Sequence, residues 1–112
     1  MKILITGGLG YIGSSLAEHL NKYHNITVCS RSPKACNTGD TTINSQVVDW
    51  KNKNTLDELC NKKDVIIHAA GMNSHDCVKN PKKAIECNHL NTKKIVTAAI
   101  NNRVNTFIYI ST

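Results

Sequence analysis

Four glycines, Gly7, Gly8, Gly10 and Gly13, crowd the stretch ITGGLGYIGSS from Ile5 to Ser15, directly after the apolar run KILIT. A chain that leaves a strand, enters a helix and keeps its backbone beside a bound anion needs residues without a Cβ. In this reading Gly7 permits the turn, Gly10 lets a pyrophosphate approach, and Gly13 brings helix and strand close together. The backbone N–H groups of Tyr11 and Ile12 then open the helix facing the phosphates, with the helix dipole favouring negative charge. Gly8, Gly10 and Gly13 satisfy G-x-G-x-x-G, and Gly7, Gly10 and Gly13 satisfy G-x-x-G-x-x-G. The setting gives the motif its meaning: it follows a strand, opens a helix and lies inside a βαβ unit.

Other residues extend the same chemistry. Dinucleotide binders that select NAD carry an acid about 20 residues past the glycines, where it bonds the ribose 2′-hydroxyl. This chain has Ser30 and Arg31 there. The pair suits a 2′-phosphate, which an acid would repel, so NADP is the preferred cofactor and NAD the alternative, with Lys34 as an auxiliary cation. Ala69, Ala70 and Gly71 are small enough to leave room for a cofactor above the carboxyl end of a strand. Asn88 shares a helix face with Ile85, Thr92, Ile95 or Val96, and Ala99, which turns a polar amide towards the sheet, where it needs hydrogen-bond partners. His68, His75, Cys77, Cys87 and His89 cluster in sequence, but their spacing fits no zinc pattern, and a helix turns 87 and 89 about 200° apart. No metal site is expected.

The elements that must position these residues follow from periodicity. KILIT reads as a strand buried on both faces, and Ile12, Leu16, Ala17 and Leu20 fall at helical spacing from Tyr11 to about His24. NITVCS is a second strand, residues 31 to 44 a loop around Pro33 and Gly39, and SQVVDW a third strand. TLDELCN is a helix capped by Thr55, with Glu58 at the capping-box spacing. DVIIHAA is the fourth strand and 71 to 80 a polar loop. Pro81 suits the first position of a long helix running to about Asn102, and NTFIYIST is the fifth strand. Strands alternating with helices call for an α/β fold: a doubly wound parallel sheet of Rossmann type, order 3-2-1-4-5, with its switch point between the first and fourth strands.

Composition sets outer bounds. A chain of 112 residues, 40% hydrophobic and 20% charged, makes one globular domain. Its 14 basic residues exceed its 8 acidic ones. They are spread over outer faces without interleaved aromatics, which suits a solvated basic surface and an anionic nucleotide better than nucleic acid. Five scattered cysteines without C-x-x-C spacing suggest reduced thiols in a cytoplasmic chain. The apolar run after Met1 is too short for a secretory signal, and no stretch approaches the ~20 apolar residues of a membrane span.

TGGLGYIG near the amino terminus, HAAG after the fourth strand, Asn88 in the next helix and FIYIST as the fifth strand resemble the extended short-chain dehydrogenase/reductase family, in particular its NAD(P)-dependent epimerase/dehydratase group. The likeness covers the whole chain. It implies an NAD(P)-binding oxidoreductase-type protein whose relatives mostly act on nucleotide-linked sugars. It also implies that Asp49 accepts a hydrogen bond from the adenine amino group, with Trp50 packed beside it. His68 is then structural, and Asn88 orders the active site and nearby backbone. Where the family often has Gly three residues after that asparagine, this chain has Asn91. Thr112 matches the catalytic Ser or Thr whose hydroxyl meets the reacting substrate oxygen.

The family's acid–base tyrosine is followed four residues later by lysine. None of Tyr11, Tyr23 and Tyr109 has lysine at that spacing. The expectation is therefore a single, incomplete dinucleotide-binding domain over 1–112, the N-terminal part of such an enzyme, inactive alone. A fifth strand left as a bare apolar edge should favour homo-oligomers. The alternative is a non-catalytic dinucleotide-sensing or interaction module.

Overall fold

A computed structural model describes residues 1–31, 37–38, 41–71 and 74–110, with 37, 38, 41, 42 and 74 described in backbone only. Strand β1, Lys2–Thr6, is buried from Ile3 onward. It lies at the centre of a five-stranded parallel sheet with β2, Asn25–Ser30, β3, Asn44–Val47, β4, Val65–His68, and β5, Thr106–Tyr109. The spatial order is β3-β2-β1-β4-β5, the 3-2-1-4-5 arrangement that the alternation of elements predicts. Register brings Thr6 level with Cys29 on one side and His68 on the other. The chain reversals that start next to the switch point therefore open from one height.

Alternation along the strands splits the core in two. On one face Ile3, Ile5, Ile26, Val28 and Ile67 pack with Ala17 of helix α1, Tyr11–Leu20, and with its half-buried Leu16 and Leu20. On the other, Leu4, Cys29 and Ile66 meet Leu56, Leu59 and Cys60 of α2, Lys53–Cys60. Ile95, Ala98 and Ala99 of the long helix's final segment, α5, Asn91–Asn101, complete that second core. Helices thus cover both faces, as parallel strands buried on both sides require. Among the described residues no helix is long and apolar enough to cross a membrane.

Several boundaries differ from the sequence expectation. Helix α1 ends at Leu20 instead of continuing to His24: Tyr23 and His24 both donate to the Leu20 carbonyl, and Asn25 donates to Met1 O, which draws the chain into the sheet. Strand β3 begins at Asn44, one residue before the expected start, and stops at Val47. Val48 N–H still reaches Ser30 O at 2.9 Å, after which the chain turns away. β4 spans only Val65–His68 and β5 only Thr106–Tyr109. Helix α2 is capped by Asn52, not Thr55. The Asn52 side chain accepts from Asn54 N–H at 3.0 Å and Thr55 N–H at 3.4 Å, so Thr55 already sits inside the first turn.

The expected loop at 31–44 contains a two-residue antiparallel ladder, Asn37–Thr38 with Thr41–Thr42. The expected loop at 71–80 holds helix α3, Ser74–Lys79. The long helix beginning at Pro81 is three pieces: α4, Pro81–Ile85, a π-helical turn over Glu86–Leu90, and α5. A π turn inserts one extra residue, so the inward stripe before it slips by one position. Ile85, expected on the inner face, is consequently 59% exposed, while Ala84 is half-buried.

Candidate functional site

At the carboxyl ends of β1, β2 and β4 lies a cleft of about 320 Å³. Its floor is main chain: Gly7 and Gly10 on one side, Ala69, Ala70 and Gly71 on the other. Gly7 has φ +69°, a left-handed conformation that side chains disfavour, and a Cβ there would lie 2.8 Å from Ala70 N. A Cβ on Gly13 would lie 2.2 Å from Gly7 O, so the helix start is seated directly on the turn. Gly10 N–H closes the turn on Gly7 O at 2.9 Å. The first helical bond runs from Ser14 N to Gly10 O, which leaves Tyr11, Ile12 and Gly13 ahead of the helical ladder. The side chains of Tyr11 and Ile12 are exposed and do not line the cleft; only their backbone can serve it.

Ser30 and Arg31 rim the cleft at the end of β2, and Val48 and Trp50 wall it after β3. Asp49 points elsewhere: its carboxylate accepts from Lys51 N–H at 3.0 Å and caps a local turn. Trp50 is half-buried against the core, and its carbonyl accepts from Lys94 Nζ at 3.1 Å. The far wall comes from the π turn and the start of α5 through Cys87 and Asn91.

His68 lies beneath the cleft, fully buried, in a chain of hydrogen bonds whose polarity can be deduced. Thr6 Oγ1 accepts from Ala69 N–H and Ala70 N–H, both at 3.2 Å. Its one proton therefore goes to His68 Nδ1, 2.6 Å away. Nε2 must then carry the imidazole proton, which it donates to Thr92 Oγ1 at 2.9 Å, and Thr92 in turn donates to Asn88 O at 3.1 Å. Every partner is satisfied only while His68 is neutral, and burial pushes its pKa down from 6.5 to about 4. The ring also stacks on Tyr109 at 5.8 Å and meets Trp50 edge-on at 6.0 Å. This histidine ties β1, β4 and the long helix together.

Asn88 does not line the cleft but braces it. Its Nδ2 donates to Cys77 Sγ at 3.3 Å, and its Oδ1 stands 2.9 Å from where a Cβ of Gly71 would be. Of the site residues expected from sequence, Gly7, Gly10, Ser30, Arg31, Trp50, Ala69, Ala70 and Gly71 converge on the cleft. Tyr11, Ile12, Gly13, Asp49 and Asn88 stand around it, and Thr112 and Lys34 lie outside the described residues. Leu9, Val48, Cys87 and Asn91 also line it without having been anticipated. Leu9 was legible in principle, being enclosed by the glycines; Cys87 and Asn91 reach the wall through the π turn, which no local pattern announced.

A larger hollow of about 680 Å³ lies at the opposite, amino ends of the strands around Met1, Tyr23 and Asp64. It is open and lacks the glycine turn, and parallel sheets of this kind bind ligands outside their carboxyl ends. The smaller cleft is the candidate site.

The family model described as NAD dependent epimerase/dehydratase family matches residues 3–112. Among curated proteins, the chain is 30% identical over 98% of its length to a Methanocaldococcus jannaschii protein named as an uncharacterized membrane protein, covering 35% of it. It is 29% identical over 98% of its length to a UDP-glucose 4-epimerase of Rickettsia rickettsii, covering 36% of that enzyme. It thus spans about a third of the length of the curated relatives it matches. Among solved structures, MoeE5 in complex with UDP-glucuronic acid and NAD superposes with a TM-score of 0.86 at 22% identity, over 100% of this chain and 37% of that one. That likeness shows the fold.

Proposed function

Because this chain belongs to the NAD dependent epimerase/dehydratase family, we propose that residues 1–112 form a single, incomplete dinucleotide-binding domain, the cofactor-holding part of a nucleotide-sugar epimerase, dehydratase or reductase. The observation that carries this reading is the backbone cradle, in which left-handed Gly7 and close-packed Gly13 leave peptide groups facing a cleft at the switch point. The relative named UDP-glucose 4-epimerase supports a nucleotide-linked sugar as substrate.

In this reading the cleft holds NADP in preference to NAD. The N–H groups opening α1 bind the pyrophosphate, Ser30 and Arg31 hold the 2′-phosphate, and Trp50 packs near the base. Asp49 accepts from the adenine amino group once the nucleotide reaches over its turn. Ala69, Ala70 and Gly71 admit the cofactor without steric conflict, and Asn88 keeps Gly71 in place. When bound, the nicotinamide supplies a hydride acceptor and donor. Thr112 donates a hydrogen bond to the substrate oxygen that is oxidised or reduced. Neither Tyr11 nor Tyr23 is followed by lysine four residues on, and these 112 residues on their own are expected to turn over negligibly.

Calorimetric titration of the wild type and Arg31→Ala with NADPH and NADH tests the reading. Arg31→Ala should weaken NADPH about tenfold or more and NADH by less than twofold. No heat from either dinucleotide would end the proposal; equal losses for both would end the 2′-phosphate role alone.

A further inference from the structure

We propose that Asn91 reads the nucleotide: its side-chain Oδ1 accepts a hydrogen bond from the adenosine half of the dinucleotide. The inference rests on the reading that the cleft holds such a ligand. Asn91 lines that cleft, yet the residue is only 6% exposed, and its Oδ1 is buried with no hydrogen-bond partner among the described residues. Buried side-chain oxygens without a partner are rare in folded proteins and call for an explanation. The nearest polar neighbour in sequence cannot supply a donor. Thr92 already gives its proton to Asn88 O and accepts from His68 Nε2.

The backbone holds this amide in place. Asn91 N–H donates to Glu86 O, five residues back, and so closes the π turn. Such turns recur at functional sites because the extra residue re-aims side chains. Here the residues at both ends of one helical turn, Cys87 and Asn91, face the cleft.

The missing partner must be a donor, which narrows the ligand group. Phosphate oxygens of the pyrophosphate accept only, so they cannot satisfy Oδ1. The adenosine half offers an exocyclic amino group and, where the 2′ position carries the phosphate of NADP, a ribose 3′-hydroxyl. It is also the half that the wall of Val48 and Trp50 and the Ser30–Arg31 rim would enclose.

The test compares wild type with Asn91→Leu, which keeps the shape and removes the hydrogen bond. AMP, 3′-deoxy-AMP, IMP and nicotinamide mononucleotide are titrated by calorimetry against each. Asn91→Leu should weaken AMP by about 5- to 20-fold and leave nicotinamide mononucleotide unchanged. The melting temperature should hold or rise, because the unpartnered oxygen is gone. The analogue on which the variant's cost disappears identifies the donor: IMP lacks the amino group, 3′-deoxy-AMP the 3′-hydroxyl. Asn91→Ala, which adds no new contact, repeats the comparison should leucine disturb folding. AMP affinity within twofold of wild type in both variants, or an equal loss on nicotinamide mononucleotide, would overturn the assignment. If wild type binds no adenine nucleotide at all, the dinucleotide reading itself has failed; if it binds and the variants bind as well, only Asn91's role has.

Discussion

Replacing Thr6 by valine removes one hydroxyl from a position with no solvent access. That hydroxyl accepts from Ala69 and Ala70 N–H and donates to His68 Nδ1. Ala69 N–H keeps a second acceptor, Thr6 O at 3.3 Å, but Ala70 N–H loses its acceptor and His68 Nδ1 its donor. Two unsatisfied groups at about 1–3 kcal/mol each, offset by roughly 0.8 kcal/mol for the added methyl, give a net loss of about 1–5 kcal/mol. Against a typical domain stability of about 5–15 kcal/mol that is a large fraction. Thr6→Ser keeps the hydroxyl and sheds a methyl, costing about 1 kcal/mol. Urea unfolding of the three proteins reads the difference directly, provided the slopes agree. Nitrogen-15 spectra of the imidazole should show the Nε2–H tautomer in wild type and in Thr6→Ser. If valine and serine destabilise equally, the hydroxyl does not hold the network and the deduced tautomer loses its basis.

Three further outcomes are expected. Asn52→Ala should cost about 1 kcal/mol in the same unfolding assay, whereas Thr55→Ala should cost markedly less, because the cap belongs to Asn52. Unfolded His68 takes a proton near 6.5 but the folded chain resists until about 4, so between those values the unfolded state binds more protons. Stability should therefore fall as pH drops through this window, by about 3 kcal/mol in all, and denaturation curves of His68→Gln should show a shallower acid slope. Burial pushes the thiols of Cys29 and Cys60 up to about 12, so iodoacetamide at pH 8 should spare both. Cys87 lines the cleft; its labelling, followed by peptide mass spectrometry, should slow when NADPH is added.

What could be read from sequence was whatever repeats locally. KILIT, NITVCS and DVIIHAA each carry their own strand signal, and the alternation with helices left few ways to order the sheet. The glycines declared the turn because no other residue tolerates φ +69° and so close a neighbour. Features set by tertiary contacts were harder to see. T-x-x-E spacing pointed to Thr55 as a cap, yet the helix starts one turn earlier, where Asn52 accepts from the N–H groups of Asn54 and of Thr55 itself. The stripe through Ile85, Asn88 and Thr92 assumed an unbroken α-helix. Packing of Ile95 and Ala98 on the sheet, together with Asn91 N–H bonding to Glu86 O, selects a π turn instead. Beside Asn88, the expected polar group, the insertion brings Asn91 to the cleft wall, its Oδ1 without a hydrogen-bond partner among the described residues.

A cleft floored by Gly7, Gly10 and the Ala69–Gly71 peptide units offers nearly the same amide surface whatever side chains surround it. Redesign of ligand choice therefore has little purchase on that floor. The adjustable positions are few and peripheral: Ser30 and Arg31 on the rim, Trp50 on the wall after β3, and Asn91 on the opposite wall. A library restricted to those four codons would vary the rim and walls while leaving the main-chain floor untouched.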